Sequence, residues 1–469
     1  MKSAISRRDF LGATAGAAAS ATLLGISFLD ALPAQATSSF VRRDVAGMSA
    51  TDPVLVSYGK AVQAMQALPN TNPLSWAYQA AIHGTTLSGS NTAWDTCQHG
   101  NYFFWSWHRM YLYWFERIIR KMADDPCWSL PYWNYTSTAE RTLPTPFRDA
   151  TSPLFTSNRG AGWNTGAASF PSGDVQYSAA LSLSNFTNGS SSIEQSPHNN
   201  VHVDIGGLMG VIDTAAQDPI FFLHHSNIDR LWNIWLAQTP GAGDPLGDAT
   251  WKSTQFTFFD ENGNQVQMTG CEVLRAQQQL GYSYEGEPAQ VSPKCLLIVL
   301  PPWVFTEEVF AQLPGPPVEL TGETVSFPIN LAELRKRIAL VLEDKNKTIF
   351  LQLDEVETEK PPGVVWDVFV GLPEKAAPDT ESPYFVGTLA MFGPGIRSSK
   401  HHNEPAHFSF PVSRALAAAL KTDSERTAVT FVPHGVLING KPSRPEVKSP
   451  VRIGKAKLIV ETKEENKKQ

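Results

Sequence analysis

Two sets of three histidines are the residues of this sequence best suited to metal chemistry. They are His83, His99 and His108 in the first set and His198, His202 and His225 in the second set. Three neutral imidazoles can hold one metal ion, so six in two sets predict two ions side by side. Imidazole binds copper, zinc, iron and nickel alike, and the histidines alone do not choose among these metals.

The elements around the first set can bring its members together. Residues 76–83 have apolar side chains three and four apart, which predicts a helix with His83 at its end. Residues 105–121 predict a second helix, with His108 on its apolar stripe. His99 precedes this helix in a predicted loop, from which its ring can reach the same ion.

The second set has a tighter spacing. His198 and His202 are four residues apart, so on a helix their Cβ atoms lie about 5–6 Å apart on one face. Two adjacent histidines, His224 and His225, point about 100° apart on a helix, so we do not expect both to bind the same ion. Asp229 follows His225 by one turn, where it can accept a hydrogen bond from the ring or fix the helix.

The composition argues against two other classes of protein. The chain has 469 residues, of which 42% are hydrophobic and 18% charged, enough for two or three domains with a large core. A net charge of −7 and a pI near 5.9 argue against a nucleic-acid-binding surface, which needs a basic stripe. No apolar span of about twenty residues follows residue 36, so we expect no membrane association of the mature chain.

Residues 1–36 have the features of an export signal. Residues 6–12 contain a pair of arginines, an apolar run rich in alanine and glycine follows, and Ala34–Ala36 form a small-residue cleavage pattern. A twin-arginine signal exports folded proteins, which suits a chain that must fold around a metal. We therefore expect a mature chain that begins near Thr37 and is periplasmic or secreted.

Four cysteines are too few for a disulfide scaffold in a chain of this length. Cys127, Cys271 and Cys295 can include one disulfide, but the sequence does not assign the pair. Cys97 lies two residues before His99, and composition alone favours a free buried thiol at this position.

Two long motifs around the histidines resemble those of one enzyme family. Residues 99–112, HGNYFFWSWHRMYL, resemble the copper A motif of tyrosinases and polyphenol oxidases, and residues 218–229, DPIFFLHHSNID, resemble their copper B motif. The resemblance implies two copper ions as the cofactor, O2 as the co-substrate and small phenols as substrates. It also implies that His225, and not His224, completes the copper B ligands.

The resemblance extends to both ends of a core domain. Residues 41–45 are similar to the start of a plant-type polyphenol oxidase core, and residues 282–284 are similar to the tyrosine motif that ends it. In the family these ends pair through arginine–aromatic contacts, which use cation–π attraction. The resemblance therefore implies a mainly α catalytic core at residues 37–290, in which a four-helix bundle houses a dicopper site.

The resemblance gives Cys97 a second interpretation. A Cys-x-His sequence at the second copper A ligand resembles the fungal-type arrangement, in which the sulfur is covalently linked to the histidine ring. It therefore implies a thioether between Cys97 and His99.

The activity that the resemblance implies is oxidation of phenols to o-quinones. Glu194 and Asn199 resemble the family pair proposed to hold a water that deprotonates an incoming phenol, which favours a tyrosinase that also hydroxylates monophenols. The alternative is that Glu194 precedes or caps a helix and Asn199 is solvated, in a catechol oxidase without monophenolase activity. Ile212 aligns with an aromatic gate of plant enzymes, or else it is a core residue.

Two other classes of protein use similar ligands. A hemocyanin-like protein would bind O2 reversibly at the same six histidines without forming quinones. A dizinc hydrolase would usually add carboxylate or water ligands, which these motifs lack. Copper content separates the hydrolase from the oxidase, and a catechol browning assay separates the O2 carrier.

The composition changes after the core. Residues 285–318 are rich in proline and predict a linker. Residues 319–469 contain β-rich runs and one helix candidate at residues 413–421, which predicts a C-terminal β-sandwich domain. Residues 366–370 and 384–388 resemble the plant-type C-terminal domain that shields the active site until it is cleaved or displaced.

A shielding domain implies a latent proenzyme that an activating protease opens. An apolar side chain of this domain should then lie in the pocket, and Phe392 is the candidate. Alternatively, Phe392 packs within its own sandwich. The run from His401 to His407 predicts a solvated polar loop rather than a copper-delivery site.

Overall fold

A computed structural model describes residues 40–89, 91–287, 303–399, 404–422 and 426–466. These residues form a helical core up to residue 287 and a C-terminal domain rich in β-sheet from residue 303. The predicted export signal, Cys295 and residues 401–403 of the predicted polar loop lie outside the described residues. None of the described helices is long and apolar enough to cross a membrane.

Helices make up most of the core. They are α1 (Pro53–Gln66), α2 (Trp76–His83), α3 (Phe104–Ala123), α4 (Ser178–Leu181), α5 (Phe186–Ile193), α6 (Asn200–Ile205), α7 (Ile220–Gln238) and α8 (Ala249–Ser253). The core also contains the short strands β1 (Phe40–Arg42), β2 (Ala168–Ser169), β3 (Phe256–Phe259), β4 (Gln265–Met268) and β5 (Tyr282–Tyr284). Because α3 packs against both α1 and α7, it is the central helix of the core.

Local capping fixes where the ligand-bearing helices begin. The Ser75 hydroxyl accepts a hydrogen bond from the Tyr78 N–H (3.1 Å), so α2 has its predicted bounds. The Asp218 carboxylate accepts from the Ile220 N–H (3.1 Å), and α7 begins directly after Pro219. α3 is slightly longer than predicted and ends at Asp124, whose φ of 55° is left-handed.

A buried ion-pair network closes the core. β1 pairs in parallel with β5, and the Arg42 guanidinium lies 3.6 Å from the centre of the Tyr282 ring. The predicted arginine–aromatic contact between the two ends is therefore confirmed. Arg42 also pairs with Glu116 of α3 (2.6 Å) and with Asp229 of α7 (3.2 Å), and Asp229 pairs with Arg109 of α3 as well. Asp229 thus ties the ends of the core to its central helices.

Two facing sheets form the C-terminal domain. Their strands are β6 (Trp303–Gln312), β7 (Val318–Leu320), β8 (Val325–Asn330), β9 (Lys347–Thr358), β10 (Val365–Val370), β11 (Phe385–Ala390), β12 (Ala406–Pro411), β13 (Arg426–His434) and β16 (Val451–Glu465). One sheet has the order β11-β10-β13-β8, and the other has the order β12-β9-β16-β6 with β7 beside β16. Apolar side chains of both sheets share one buried cluster, which confirms the predicted β-sandwich.

The structure differs from the sequence predictions at the start of this domain. β6 pairs along β16, so residues 303–312 of the predicted linker belong to a sheet. The proline-rich composition was misleading here because the prolines flank the strand and do not interrupt its ladder. A helix that was not predicted, α9 (Leu331–Glu343), follows β8, whereas the predicted helix at residues 413–421 is present as α10 (Ser413–Ala419).

The C-terminal domain contacts the core through both backbone and side chains. A short strand, β14 (Leu437–Ile438), pairs with β2 of the core and with β15 (Lys441–Pro442). The Glu461 carboxylate accepts hydrogen bonds from the Asn185 and Asn188 amides, both at 2.7 Å. These contacts hold the sandwich beside the histidine-bearing face of the core.

Candidate dinuclear metal centre

The structure brings the histidines of each set together in the middle of the core. Within each set the candidate ligand atoms lie within 4.8 Å of one another, and all six side chains are buried. The two sets face each other, because the rings of His108 and His225 stack with their centres 4.4 Å apart. Nε2 of His225 also lies 3.3 Å from Nε2 of His202. This arrangement places two groups of imidazole nitrogens side by side, as two adjacent metal ions would require.

Hydrogen bonds from the ring atom Nδ1 orient several of these imidazoles. Nδ1 of His108 lies 2.8 Å from the Phe104 carbonyl oxygen, and Nδ1 of His202 lies 2.8 Å from the Met209 carbonyl oxygen. Nδ1 of His83 similarly faces the carbonyl oxygen of Ile212 at 3.3 Å. A carbonyl can only accept, so Nδ1 carries the proton and Nε2 is left as the ligand atom.

Burial keeps the histidines in the form that binds metals. It lowers the pKa of His198 to about 3, and it lowers the pKa values of His108, His202 and His225 well below 6.5. Neighbouring imidazoles lower the pKa values of these last three further, because two charged rings would repel each other. The rings are therefore neutral near pH 7, as a metal ligand must be.

His224 lies closer to the second set than the helical spacing predicted. Its ligand atom falls within the same 4.8 Å group as those of His198, His202 and His225. Nδ1 of His224, however, is 2.9 Å from the Tyr135 hydroxyl. His225 stacks on His108 of the first set, so its position between the two sets is the one that suits a dinuclear centre.

Glu194 and Asn199 lie in a kinked segment, residues 194–199, that precedes α6. The Gly100 N–H donates to the Glu194 carboxylate (2.6 Å), and burial raises the pKa of Glu194 to about 8. The Asn199 side-chain oxygen lies 2.9 Å from Nδ1 of His198 and accepts its proton in a hydrogen bond. Asn199 is 6% exposed, so the alternative interpretation of a solvated side chain is excluded. It orients one of the candidate ligands.

Asp229 fixes the α7 helix and does not bind the neighbouring histidine ring. Its carboxylate accepts hydrogen bonds from the Tyr282 and Tyr284 hydroxyls, both at 2.6 Å, in addition to its two arginine partners. Nδ1 of His225 makes no hydrogen bond to any of the described residues. Of the two roles that the sequence left open for Asp229, the structure favours the second.

Phe392 of the C-terminal domain reaches into the histidine centre. Its ring stacks on His202, with 3.8 Å between ring centres and 11° between planes. It belongs to the buried apolar cluster of the core and not to that of the sandwich, so packing within its own sandwich is excluded. The next residue, Gly393, has a φ of +81° and lies so near Ile212 that an added Cβ would be 2.9 Å from Cδ1 of that side chain. Ile212 is therefore a buried residue that lies against the segment carrying Phe392.

Cys97 is buried, and burial raises the pKa of its thiol well above the usual range. Cys127 is an exposed free thiol, whereas Cys271 is disulfide-bonded. The cysteine beside His99 is thus shielded from solvent, next to the first histidine set.

Two orienting residues were missed in the sequence. Arg159 forms a two-pronged ion pair with Asp218, with both nitrogen–oxygen distances at 2.7 Å, and so fixes the start of α7. Tyr135 holds His224. Neither residue lies in a motif, and their partners are 59 and 89 residues away, so local spacing gave no signal.

Family models and relatives agree on the class of this chain. The common central domain of tyrosinase matches residues 73–183 and 174–238, and the polyphenol oxidase middle domain matches residues 246–292. A domain of unknown function matches residues 317–442. A latent form of polyphenol oxidase from Prunus armeniaca is 27% identical over 451 residues, covering 84% of this chain and 73% of that relative. A tyrosinase from Hahella sp. (strain CCB-MM4) is 36% identical over 287 residues, covering 50% of this chain and 61% of that relative.

Solved structures share the whole architecture. Latent apple tyrosinase matches with a TM-score of 0.65 and 23% identity, covering 92% of this chain and 98% of that chain. Latent aurone synthase, a polyphenol oxidase, also matches with a TM-score of 0.65, at 22% identity, covering 92% of this chain and 91% of that chain. These likenesses show a common fold of helical core and sheet-rich C-terminal domain. The two matching domain models show that the core of this chain, over residues 73–238 and 246–292, belongs to the tyrosinase and polyphenol oxidase family.

Proposed function

We propose that this protein is a type 3 copper phenol oxidase that is made in a latent form and oxidises small phenols to o-quinones with O2. The observation that carries the proposal is the pair of buried histidine sets, each with its ligand atoms within 4.8 Å. Neutral imidazoles suit copper, and family membership favours copper over zinc, iron or nickel. When bound, two copper ions would supply O2 binding and two-electron oxidation.

The chain itself would orient the ligands, exclude water and position the phenol. Backbone carbonyls of Phe104, Met209 and Ile212 hold the imidazoles, as described above. The Phe392 side chain is a benzene ring stacked on His202, and we propose that a phenol ring takes this place once the C-terminal domain moves away.

We favour a tyrosinase over a catechol oxidase without monophenolase activity. Glu194 and Asn199 both lie in the kinked segment that contains His198, and both are buried. A water held by the Glu194 carboxylate and the Asn199 amide would pass the proton of an incoming monophenol to that carboxylate, whose raised pKa makes it a stronger base once it is ionised. The runner-up is the catechol oxidase, and a hemocyanin-like O2 carrier is the alternative from a different class.

The test is turnover by the purified, copper-loaded protein with catechol and with tyramine, alongside its copper and zinc contents. We expect two copper ions per chain and quinone formation from both substrates. Oxidation of catechol alone would favour the catechol oxidase. Two bound copper ions without any quinone, even after the C-terminal domain is removed, would identify an O2 carrier, and two zinc ions would identify a hydrolase.

We expect Asn199→Ala to lower the ratio of tyramine to dopamine initial rates at least about tenfold, since general-base catalysis contributes about 10²–10⁴-fold. The structure adds a control, because Asn199 also orients His198. Asn199→Asp keeps a hydrogen-bond acceptor for Nδ1, and copper content measured in both variants separates loss of the metal from loss of the base. An unchanged ratio in a fully copper-loaded Asn199→Ala would contradict the proposed role.

Latency gives a prediction for the uncleaved protein. Burying a phenylalanine stabilises the buried state by about 1.5–3 kcal/mol. Loss of the Phe392 ring therefore favours the state in which the C-terminal domain no longer covers the histidine centre. We expect catechol oxidation by Phe392→Ala to rise at least about tenfold. The matched control is Phe408→Ala, a buried phenylalanine in the core of the sandwich itself. The Phe408→Ala substitution should destabilise the protein by a similar amount and leave the latent activity unchanged. Equal activation by both variants would show that destabilisation of the C-terminal domain, and not loss of the Phe392 ring from the histidine centre, raises the activity.

An activating protease would have to do more than cut the linker. The β2–β14 pair and the side-chain contacts to Glu461 do not depend on the linker, so they persist after cleavage. We therefore expect cleavage between residues 285 and 302 to raise activity once the two pieces are separated by gel filtration under mildly denaturing conditions. Activity that is unchanged after this separation would exclude a shielding role.

We further propose the thioether between Cys97 and His99. The intact mass of the copper-loaded protein should then be lighter by two hydrogen atoms than that of Cys97→Ser corrected for the substitution. A Cys97 thiol that reacts with iodoacetamide after denaturation of the copper-loaded protein would contradict the crosslink. Export by the twin-arginine route also remains part of the proposal, and cell fractionation with and without the arginine pair tests it.

A further inference from the structure

A second cluster of candidate metal ligands lies between the core and the C-terminal domain. Asp174 is in the core, just before α4, whereas Asp367 is in β10 and His434 ends β13. Their ligand atoms all lie within 4.8 Å of one another. Nε2 of His434 is 3.2 Å from the Asp174 carboxylate and 3.4 Å from the Asp367 carboxylate. The cluster is separate from the histidine centre, and each domain contributes to it.

The polar atoms of this cluster lack ordinary hydrogen-bond partners. Asp174 is 0% exposed, yet neither of its carboxylate oxygens accepts a hydrogen bond from the described residues. The same is true of Oδ1 of Asp367 and of both ring nitrogens of His434. A buried polar atom without a hydrogen-bond partner destabilises the folded protein. Unpartnered atoms on three neighbouring residues therefore indicate that a ligand binds there.

The distances suit a bound cation better than a hydrogen bond. Charge-assisted N–H···O bonds are typically about 2.7–2.9 Å long, shorter than both contacts of His434. Two ligand atoms bound tetrahedrally at about 2.0–2.2 Å from zinc would be about 3.3–3.6 Å apart. The two Nε2 atoms of His202 and His225 have the same spacing, 3.3 Å, in the histidine centre. The cluster thus has the geometry of ligands that converge on a small ion.

The charges at this site also favour a cation. A third carboxyl, Asp204, lies against the Asp174 carboxyl, and its Oδ2 is buried. A divalent cation would reduce the repulsion among these carboxyls.

We propose that Asp174, Asp367 and His434 bind a divalent cation of the zinc type, which fastens the C-terminal domain to the core. A mixed set of carboxylate and imidazole ligands suits zinc, and three protein ligands leave a fourth position for water. An ion can enter from a neighbouring cavity of about 540 Å³ between the domains, which Gly173 and Thr388 line. The site does not depend on the identity of the metals in the histidine centre.

The test uses the full chain with its histidine centre filled by copper. After equilibration with zinc and gel filtration, we expect one zinc ion per chain in addition to the two copper ions. Asp367→Asn and His434→Ala should lower zinc affinity by more than the roughly 10–100-fold that residues outside a ligand set contribute. The matched control is His407→Ala, an exposed histidine of the same domain that pairs with Asp354 (2.6 Å). Its zinc content should equal that of the unmodified protein.

A second readout needs no substitution. Zinc should slow proteolytic separation of the C-terminal domain from the unmodified copper-loaded protein, and a chelator too weak to remove copper should reverse this effect. A site with a dissociation constant of about 1 μM would be almost full at about 100 μM zinc, so absence of the additional zinc ion at that concentration would overturn the proposal. So would equal zinc binding by Asp367→Asn, since that near-isosteric variant retains the shape of the interface. Either result would mean that the cluster is an ion pair between a protonated His434 and its neighbouring carboxylates, without a metal ion.

Discussion

Replacement of His225 by alanine is expected to remove one copper ion per chain and to lower catechol oxidation by more than about 100-fold, because residues that merely orient a ligand already contribute about 10–100-fold. Nε2 of His225 lies 3.3 Å from Nε2 of His202, and its ring stacks on His108 of the other set.

The adjacent histidine provides the control for this prediction. His224 lies within the same group of ligand atoms, but the Tyr135 hydroxyl contacts its Nδ1 at 2.9 Å. We therefore expect His224→Ala to retain two copper ions per chain, with a change in rate far smaller than that of His225→Ala. Copper content and initial catechol rates, measured on protein whose C-terminal domain has been removed, check both variants. Loss of copper from His224→Ala, with retention in His225→Ala, would reverse the assignment.

Asp229→Asn is expected to destabilise the core by about 3–5 kcal/mol, the usual cost of removing one partner from a buried ion pair. The substitution leaves Arg42 and Arg109 buried without the carboxylate that they share, and it weakens the contacts of two tyrosine hydroxyls. For a core of this size each kcal/mol shifts the melting temperature by about 2–4 °C, so the decrease should be about 6–20 °C. Tryptophan fluorescence of the copper-loaded protein during heating measures it.

An exposed ion pair is the control for Asp229. Glu355 pairs with Lys455 (2.5 Å), and both side chains are exposed at the surface of the C-terminal domain. Glu355→Gln should change stability by less than about 1 kcal/mol, since solvent screens exposed pairs. Equal destabilisation by the two substitutions would show that burial of the network at Asp229 contributes nothing of its own.

The same network predicts a dependence of stability on pH. Burial acts to raise the pKa of Asp229, but Arg109 and Arg42 outweigh it, so the pKa in the folded protein lies below the usual value of 3.8. A lowered folded-state pKa means that the unfolded chain takes up the proton first as the pH falls. The contribution of Asp229 to stability is therefore complete above about pH 4 and is lost progressively in more acidic solution.

The sequence by itself determined the features that depend on neighbours along the chain. The bounds of α2 follow from the apolar periodicity of residues 76–83, and the structure adds a cap at Ser75. The motifs around His108 and His225 also identified the family, and the alternating runs of the C-terminal third predicted a sandwich. These predictions succeeded because helix and strand geometry is set within a few residues.

The tertiary structure decided what distant segments do to one another. The carbonyl of Ile212 faces His83 across 129 residues, and Phe392 stacks on His202 although it belongs to another domain. Asn199 proved to be a buried partner of His198, and the cluster around His434 joins residues from both domains. Such contacts depend on how whole helices and strands pack, because packing must leave few cavities and few unpartnered polar atoms. The spacing of residues along the sequence therefore does not predict these contacts.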